Sequence, residues 1–379
     1  MELLGLRHKP SGVNTGFAAA GLAFADYVAR TQAMLQELHS GKNDQEKIVA
    51  GNAPFELLPA GDYEKGKGKP YRRGVLLTHG LIDSPYHMRH LAAFFPRNGF
   101  RVMAILLPGH GTQPGDLLDI RWQEWAKAVA YGADCLAAEV DELYLAGFSA
   151  GAALSVYQAA RDERVRGLFL FSPAFEISRL AKWANLHKLY SRLLPNAAWV
   201  SRMQDRDIYK YESFCKNAAA QMYALTQALP KRALDIPVFA VASADDATVN
   251  SAATLRFMQR EHHPCSRLVW YSTERIEQAN VEWVNSAVPE ARILSSAHTA
   301  IVVPPEDDHY GPAGEYANCL HYLPHDKAGY AACRARTGEL WYGEVQPQNL
   351  RHGPLRRLTF NPRYAEMEAS MRKFIQGLP

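Results

Sequence analysis

The segment Leu143–Leu154, LYLAGFSAGAAL, indicates the fold most directly. It begins as a short apolar run typical of a strand buried on both faces, passes through Gly-Phe-Ser-Ala-Gly, and continues as a helix-forming stretch. A Gly-x-Ser-x-Gly corner needs its glycines because side chains there would collide with neighbouring backbone. The corner would present the Ser149 hydroxyl at a helix N-terminus, which favours developing negative charge. The alternative is a small-residue loop that only packs a helix on a strand.

Similar apolar runs recur along most of the chain, with helix-like stretches between them. They are GVLLTHG from Gly74, RVMAILLPGHG from Arg101, GLFLFSP from Gly167, PVFAVASADD from Pro237 and SRLVWYS from Ser266. Alternation of helices with strands buried on both faces predicts an α/β fold with a mostly parallel central sheet flanked by helices.

Departures from this alternation set the predicted domain boundaries. Residues 174–234 are aromatic-rich and helix-like, without a buried-strand run, which predicts a helical cap. The cap would separate two parts of one α/β core, residues 51–173 and 235–379, and the second part carries a C-terminal extension. Residues 1–50 are expected to form an N-terminal helical segment whose amphipathic helix starts near Gly16, although its apolar run also resembles a weak signal peptide.

Length and composition exclude several classes of protein. The chain has 379 residues, 47% hydrophobic and 21% charged, enough to bury a large core and inconsistent with wholesale disorder. A net charge of +3 with dispersed Lys and Arg argues against a nucleic-acid partner. No apolar run approaches the roughly 18–20 residues of a spanning helix, so no integral membrane segment is expected.

The cysteines bear on compartment and on metal binding. An odd count of five predicts a reduced, cytoplasmic protein, with a periplasmic or membrane-associated location as the alternative if an N-terminal segment is removed. No pair has the spacing of zinc ligands. Cys319 and Cys333 flank one irregular loop, which leaves a disulfide between them open.

The stretch LLTHGLIDSPYHMRH, from Leu76, predicts a site for negative charge. His79-Gly80 at the end of a buried strand lets the backbone turn toward the serine corner. The N–H groups of Leu81 and Ala150 could then form an oxyanion hole, in which the loss of one donor costs about 3 kcal/mol. His79 belongs to the turn and is expected to be structural.

A candidate acid follows another buried strand, in VFAVASADDATV. Carboxylates at the C-terminal edge of a parallel strand lie where α/β active sites form. Asp246 is preferred to Asp245 as the functional acid. The alternative is that both aspartates only cap the next helix.

The order serine, acid, histidine then calls for a histidine after Asp246. In RILSSAHTAIVVPPEDDHYG, from Arg292, His298 and His309 both follow strand-like apolar runs. Small neighbours favour His298, whereas His309 follows two prolines and suits a structural loop. A metal site of Asp307, Asp308 and His309 would be a poor chelate, because adjacent residues of an extended loop point in different directions.

Together these residues resemble the α/β-hydrolase superfamily, and most of all its monoacylglycerol lipase, carboxylesterase and serine-aminopeptidase-like members. The matching blocks are HGLIDSPYHMR, LPGHGTQPGDLLDIRWQEWAKAV, GFSAGAAL and SADDATV, between about Gly74 and Val249. The resemblance implies Ser149 as nucleophile, Asp246 as the acid of the triad, and the Leu81 and Ala150 amides as oxyanion donors. One departure is that 25 residues separate RLVWYS from His298. It predicts that the last strand of the sheet is ARILSS.

The expected function is therefore cleavage of a carboxylic ester with an apolar acyl or monoacylglycerol-like group by a serine hydrolase. Its partner would be a small-molecule acyl substrate, with lipid-surface contact through the cap, and the mechanism requires no cofactor or metal. An aminopeptidase, thioesterase or acyltransferase on the same scaffold is an alternative, since fold does not settle function. A non-catalytic binding protein is a remoter alternative.

Overall fold

The chain divides into two compact units in the computed structural model. The described residues are 5–61, 65–178, 194–261, 263–336 and 339–379. The first unit comprises Met1–Phe169 and Ala174–Leu234, and the second comprises Leu170–Pro173 and Asp235–Pro379.

The first unit is built on a mostly parallel sheet. Its strands are β1 (Phe55–Leu57), β2 (Tyr71–Thr78), β3 (Phe100–Ile105), β4 (Val140–Phe148), the first part of β5 (Val165–Phe171), and the short β6 (Trp199–Ser201) and β7 (Phe214–Cys215). Its helices are α1 (Phe24–Leu38), α2 (Gln45–Asn52), α3 (Arg89–Phe94), α4 (Trp122–Glu139), α5 (Ala150–Ala159) and α6 (Lys216–Gln227). The strand order is β1-β3-β2-β4-β5. Strand β2 runs parallel to β3 and β4, whereas β1 is antiparallel to β3.

The second unit also contains parallel strands and helices. It contains the end of β5, then β8 (Val238–Ser243), β9 (Arg267–Ser272), β10 (Val281–Asn285), β11 (Trp341–Gly343) and β12 (Leu355–Arg357). Its helices are α7 (Ala252–Arg260), α8 (Lys327–Ala335), α9 (Pro347–Leu350) and α10 (Tyr364–Gln376). Strands β8, β9 and β10 are parallel neighbours, and β11 pairs in parallel with β12.

Burial explains why these segments form parallel strands. All six residues of β3 and all six of β8 are buried, as expected where helices cover both faces of a sheet. Continuous apolar runs satisfy that requirement, whereas alternating sequences would bury polar side chains. The predicted α/β class with a mostly parallel sheet is confirmed.

The prediction that ARILSS is the last strand is wrong. The strand after RLVWYS is β10, VEWVN, which pairs with β9. In ARILSS the backbone turns at once, because Pro289–Ala291 forms a 3₁₀ turn and Arg292 adopts a left-handed φ of 55°. Strand β10 is only partly buried and mixes polar with apolar residues, so it lacks the continuous apolar run that marks an inner strand.

The predicted helical cap is only partly helical among the described residues. Residues 179–193 of it lie outside the described residues, and the remainder contains the antiparallel β6–β7 ribbon and α6. Two of its aromatic side chains are used in packing. Tyr209 stacks on Tyr86 with 3.4 Å between ring centroids, and the Tyr211 hydroxyl accepts the Thr112 N–H at 2.9 Å. The N-terminal helix also differs from its prediction, since α1 begins at Phe24 rather than near Gly16.

Cys319 and Cys333 are joined by a disulfide, which resolves the alternative that the sequence left open. Their Cα atoms are 6.1 Å apart, within the usual range for a bridged pair. Cys135, Cys215 and Cys265 are free thiols. Within the described ranges, no helix combines the length and apolar character that crossing a bilayer requires.

Gly151 fixes how closely α5 approaches β2. A methyl group on its Cα would overlap the Thr78 carbonyl oxygen and lie 2.6 Å from that of His79. Gly151→Ala should therefore lower the free energy of unfolding by about 3 kcal/mol, because the helix must move off the sheet. Urea unfolding measures this change. Gly68→Ala, which adds its methyl group in open space, is the control, and equal stability of the two variants would contradict the expected close packing.

Candidate active site

Ser149 lies at the corner between β4 and α5 in a backbone conformation that serine rarely adopts. Its φ is 54° and its ψ is −111°, a strain of about 1 to 3 kcal/mol. The Ser149 carbonyl accepts the N–H groups of Ala153 at 3.2 Å and Ala174 at 3.1 Å, which hold the corner in place. Such strain is found where a side chain must be aimed for function.

The Gly80 turn packs directly against this corner. A Cβ built on Gly80 would lie 3.4 Å from the Ser149 Cβ, so the glycine admits close approach of the two segments. Ala150 is the first residue of α5, and the first N–H groups of a helix have no partner within the helix. The structure thus brings the Gly80-Leu81 turn and the Ala150 end of α5 to the same place as Ser149.

Two buried histidines anchor the turn that carries Leu81. His79 Nε2 accepts the Leu107 N–H at 3.0 Å and Nδ1 donates to the Gly80 carbonyl at 2.8 Å. His110 Nε2 accepts the Ile82 N–H at 3.0 Å, and Nδ1 donates to the carbonyl oxygen of Pro108. Burial lowers the pKa of His79 well below its ordinary value and lowers the pKa of His110 to about 4. Both rings are therefore neutral near pH 7, which lets each accept at one nitrogen and donate at the other.

The N-terminal segment in turn holds the loop of His110. Asn14 Nδ2 donates to the His110 carbonyl at 2.8 Å, and the Asn14 carbonyl accepts the Gly109 N–H at 2.7 Å. The Tyr27 hydroxyl bridges the Leu106 N–H and carbonyl, at 3.0 Å each. His110 was within a quoted motif, but nothing in the sequence around Asn14 indicated this role.

Asp83 follows the same turn and titrates far from its ordinary range. Burial raises its pKa to about 7, an effect that the charge of Lys210 and the Ser84 N–H oppose and that the charge of Asp207 reinforces. His87 Nδ1 is 3.9 Å from Asp83 Oδ2. The folded protein therefore keeps the Asp83 proton at pH values where the unfolded chain has lost it.

This shift predicts a pH-dependent gain in stability for Asp83→Asn. Because the folded pKa lies above the unfolded value of 3.8, the stabilisation from the proton is complete below pH 3.8 and is lost as pH rises through about 7. The variant should thus gain about 3 kcal/mol relative to wild type between pH 5 and pH 8.5. Thermal unfolding at both pH values measures the gain, with exposed Asp44→Asn as control. A difference between Asp83→Asn and wild type that does not change with pH would contradict the shift.

Asp246 and His298 form a short, buried pair in the second unit. His298 Nδ1 lies 2.5 Å from Asp246 Oδ2, and the Asp246 and His298 side chains are 1% and 5% exposed. Asp246 Oδ1 also accepts the N–H groups of Thr248 and Val249. Burial would raise the pKa of Asp246, but the charge of His298 and these hydrogen bonds outweigh it and lower the pKa. Asp246 is consequently a carboxylate that fixes the orientation of the His298 ring.

The neighbouring candidates have other partners. Asp245 Oδ2 accepts the Ser296 N–H at 3.2 Å, and burial raises the pKa of Asp245. His309 is 5% exposed, and its Nδ1 lies 3.5 Å from Glu315 Oε2. Asp307 caps the His309 turn through two backbone N–H groups. Among the described residues, no three His, Cys, Asp or Glu side chains are grouped to hold a metal ion.

Comparison with known proteins gives the family and one relative. The family model for serine aminopeptidase, S33, matches residues 69–275, just over half of the chain. A thermostable monoacylglycerol lipase of Bacillus sp. (strain H-257) is 31% identical over 139 residues. That match covers 37% of this chain and 51% of the relative, so the chain matches about half the length of the relative.

Solved structures with a similar backbone include two lipolytic proteins. One comes from the work on LipS and LipT, two metagenome-derived lipolytic enzymes, with a TM-score of 0.47, 22% identity, and coverage of 62% of this chain and 88% of the other. Another is the monoacylglycerol lipase of Paleococcus ferrophilus, with a TM-score of 0.44, 20% identity, and coverage of 58% and 88%.

The family match spans the blocks from which the sequence resemblance was drawn, including the Ser149 corner and Asp246. It confirms both that resemblance and the α/β-hydrolase fold. The chain belongs to the serine aminopeptidase S33 family of α/β-hydrolases.

Proposed function

We propose that this protein is a serine hydrolase that cleaves carboxylic esters through Ser149, His298 and Asp246. Ser149 is the nucleophile, His298 the general base and acid, and Asp246 the residue that orients the imidazole. The Leu81 and Ala150 N–H groups form the oxyanion hole. No cofactor or metal takes part.

The reaction would proceed through an acyl-enzyme. His298 takes the proton of the Ser149 hydroxyl as its oxygen attacks the acyl carbonyl, and the two N–H groups stabilise the resulting oxyanion. Collapse of the tetrahedral intermediate breaks the ester bond, and His298 gives its proton to the departing alcohol. Water, deprotonated by His298, then attacks the acyl-enzyme and releases the carboxylic acid and the serine.

The 2.5 Å contact between His298 Nδ1 and Asp246 Oδ2 carries this proposal. A carboxylate at Nδ1 keeps the proton on that nitrogen, so Nε2 is the atom that accepts a proton from a nucleophile. The buried carboxylate also stabilises the imidazolium that forms. The strained Ser149 corner, followed by the N-terminus of α5 in the first unit, supports the assignment of Ser149 as the nucleophile.

The proposed substrates are esters of apolar acyl groups, including monoacylglycerols. Support comes from the 31% identical relative, which is a monoacylglycerol lipase. The aromatic residues of the cap give less support than their number suggested, because Tyr209 and Tyr211 pack within the first unit. The family name keeps an aminopeptidase as the second candidate.

A substrate panel tests the reaction class. Nitrophenyl esters of increasing acyl length, monoacylglycerols, acyl thioesters and aminoacyl nitroanilides would be compared at equal concentration. We expect ester hydrolysis with kcat/KM rising with acyl length, and loss of that activity in Ser149→Ala. Hydrolysis confined to aminoacyl nitroanilides would overturn the ester assignment in favour of an aminopeptidase.

Compartment and lipid contact are further parts of the proposal. A disulfide between Cys319 and Cys333 is typical of an oxidising environment, so it favours the periplasmic alternative over the cytoplasmic prediction. Contact of the cap with a lipid surface remains a proposal, as does the absence of a nucleic-acid partner.

A further inference from the structure

An ion pair between buried Glu344 and partly buried Arg357 contacts the segments that carry Asp246 and His298. Arg357, at the end of β12, donates through Nε and a terminal nitrogen to the two carboxylate oxygens of Glu344, at 2.6 and 2.9 Å. Glu344 directly follows β11 and is 1% exposed. This two-point geometry fixes both side chains more tightly than a single contact would.

Glu344 holds the segment that leads to His298. Its Oε2 accepts the backbone N–H of His298 at 3.3 Å, and its own backbone N–H donates to Ser295 Oγ at 2.9 Å. One turn earlier, the Leu294 N–H donates to the Tyr342 carbonyl in β11 at 2.8 Å. The backbone position of His298 therefore depends on β11 and on the Glu344 carboxylate.

Arg357 contacts the loop that carries Asp246. The Arg357 Nη2 group, which donates to Glu344, also donates to Thr248 Oγ1 at 2.8 Å. The Thr248 N–H in turn donates to Asp246 Oδ1 at 2.8 Å. Burial lowers the pKa of Arg357, but the charge of Glu344, the hydrogen bonds to Glu344 and the charge of Asp246 raise it overall. Glu344 thus contacts the backbone of His298, and Arg357 contacts the loop of Asp246.

The disulfide anchors the strand from which Arg357 projects. The Arg357 N–H donates to the carbonyl of Asn318, the residue before Cys319, at 3.1 Å. The Cys333 Sγ lies 3.7 Å from the Leu355 carbonyl in the same strand. Strand β12 therefore contacts the chain at both ends of the disulfide.

We propose that Glu344 and Arg357 are positioning residues that align the Asp246–His298 pair for proton transfer. The proposal rests on the proposed serine-hydrolase function. Both residues lie in the predicted C-terminal extension, beyond the residues 69–275 that the family model matches. Stability alone does not require the pair, because an apolar pair of similar volume often replaces a buried ion pair without loss.

That property of buried ion pairs provides the test. The double variant Glu344→Leu/Arg357→Met removes both charges together and leaves neither uncompensated. We expect a urea midpoint near that of wild type, a 10- to 100-fold lower kcat, and a KM within twofold of wild type. The exposed pair Arg292–Glu339, changed in the same way, is the control and should leave kcat unchanged. A folded Glu344→Leu/Arg357→Met variant with wild-type kcat would overturn the proposal.

Single variants separate positioning from a structural role. The charged and titratable groups that face the pair are Asp245, Asp246, His298, Tyr316 and His321. Arg357→Lys keeps the charge but loses the two-point geometry, so kcat should fall while the acid limb of kcat/KM against pH stays in place. Glu344→Gln keeps the side-chain volume but weakens the acceptor of the His298 N–H and of the Arg357 guanidinium, so kcat should fall while KM stays within twofold of wild type. A folded Glu344→Gln variant with wild-type kcat would contradict the positioning role.

A readout that needs no turnover keeps this inference distinct from the proposed function. The proton between His298 Nδ1 and Asp246 should give a downfield NMR resonance in wild type, absent in His298→Gln. In the folded double variant we expect this resonance to shift or broaden. An unchanged resonance would contradict the positioning role even in a protein that hydrolyses no ester, whereas failure of ester hydrolysis with a perturbed resonance would contradict only the proposed function.

Discussion

Ser149→Ala is expected to lower kcat for ester hydrolysis by about 10⁴- to 10⁶-fold, because it removes the atom that forms the acyl-enzyme. KM should change little, since the hydroxyl contributes little to binding the substrate. The oxyanion hole and the rest of the site would leave a small residual rate above that of water. Steady-state kinetics on the best ester of the panel measures the effect.

The fold of the variant should be intact, which makes this loss interpretable. Alanine and serine tolerate this strained backbone conformation about equally, so the urea midpoint of the variant should be close to that of wild type. Ser155→Ala is a matched control, because Ser155 lies on the same helix, is fully buried, and its hydroxyl donates to the Gly151 carbonyl. Ser155→Ala with a comparable loss of kcat would show that packing of α5, and not the nucleophile, causes the effect.

His298→Gln should lower kcat by about 10⁴-fold or more, because it removes the proposed general base that takes the serine proton. Glutamine preserves much of the volume and polarity of histidine but cannot act as a base. The loss should be similar for both half-reactions, since His298 serves acylation and deacylation.

His309→Gln makes the same chemical change at the other histidine of the stretch. His309 is equally buried but is paired with Glu315 instead of Asp246. We expect this variant to keep kcat within about threefold of wild type, consistent with a structural loop. Near-normal turnover in His298→Gln together with loss of activity in His309→Gln would reverse the assignment of the base.

The sequence was sufficient to predict those features that depend only on neighbouring residues. The inner strands are continuous apolar runs because both faces are covered, and those runs were recognised. The Ser149 corner needs small residues at fixed spacing, and Asp246 follows directly on a buried strand. Glycine is present where two segments lie so close that a side chain would collide with the neighbouring backbone, as at Gly151 beside the Thr78 carbonyl. These features can therefore be read from a few adjacent residues.

Sequence was insufficient where the requirement joins distant segments. Strand β10 is only partly buried and mixes polar with apolar residues, so its sequence pattern does not distinguish it from a loop. Asn14 contacts a loop 96 residues away, and Glu344 contacts the backbone of a residue 46 positions earlier. An asparagine in a loop or a glutamate after a short strand has no local pattern that indicates such a partner. Only the folded chain reveals that both serve the segments that hold Leu81 and His298.

The most direct test of the central claim is the site of covalent labelling by a fluorophosphonate. The reagent phosphonylates a serine that is activated by a base, so it reports the nucleophile without any assumption about the natural substrate. Peptide mass spectrometry of the labelled protein should place the phosphonyl group on Ser149 at close to one per chain, with no labelling of Ser149→Ala and greatly slowed labelling of His298→Gln. A wild-type protein that is labelled on another residue, or a Ser149→Ala variant that is labelled as fast as wild type, would contradict the assignment of Ser149 as the nucleophile.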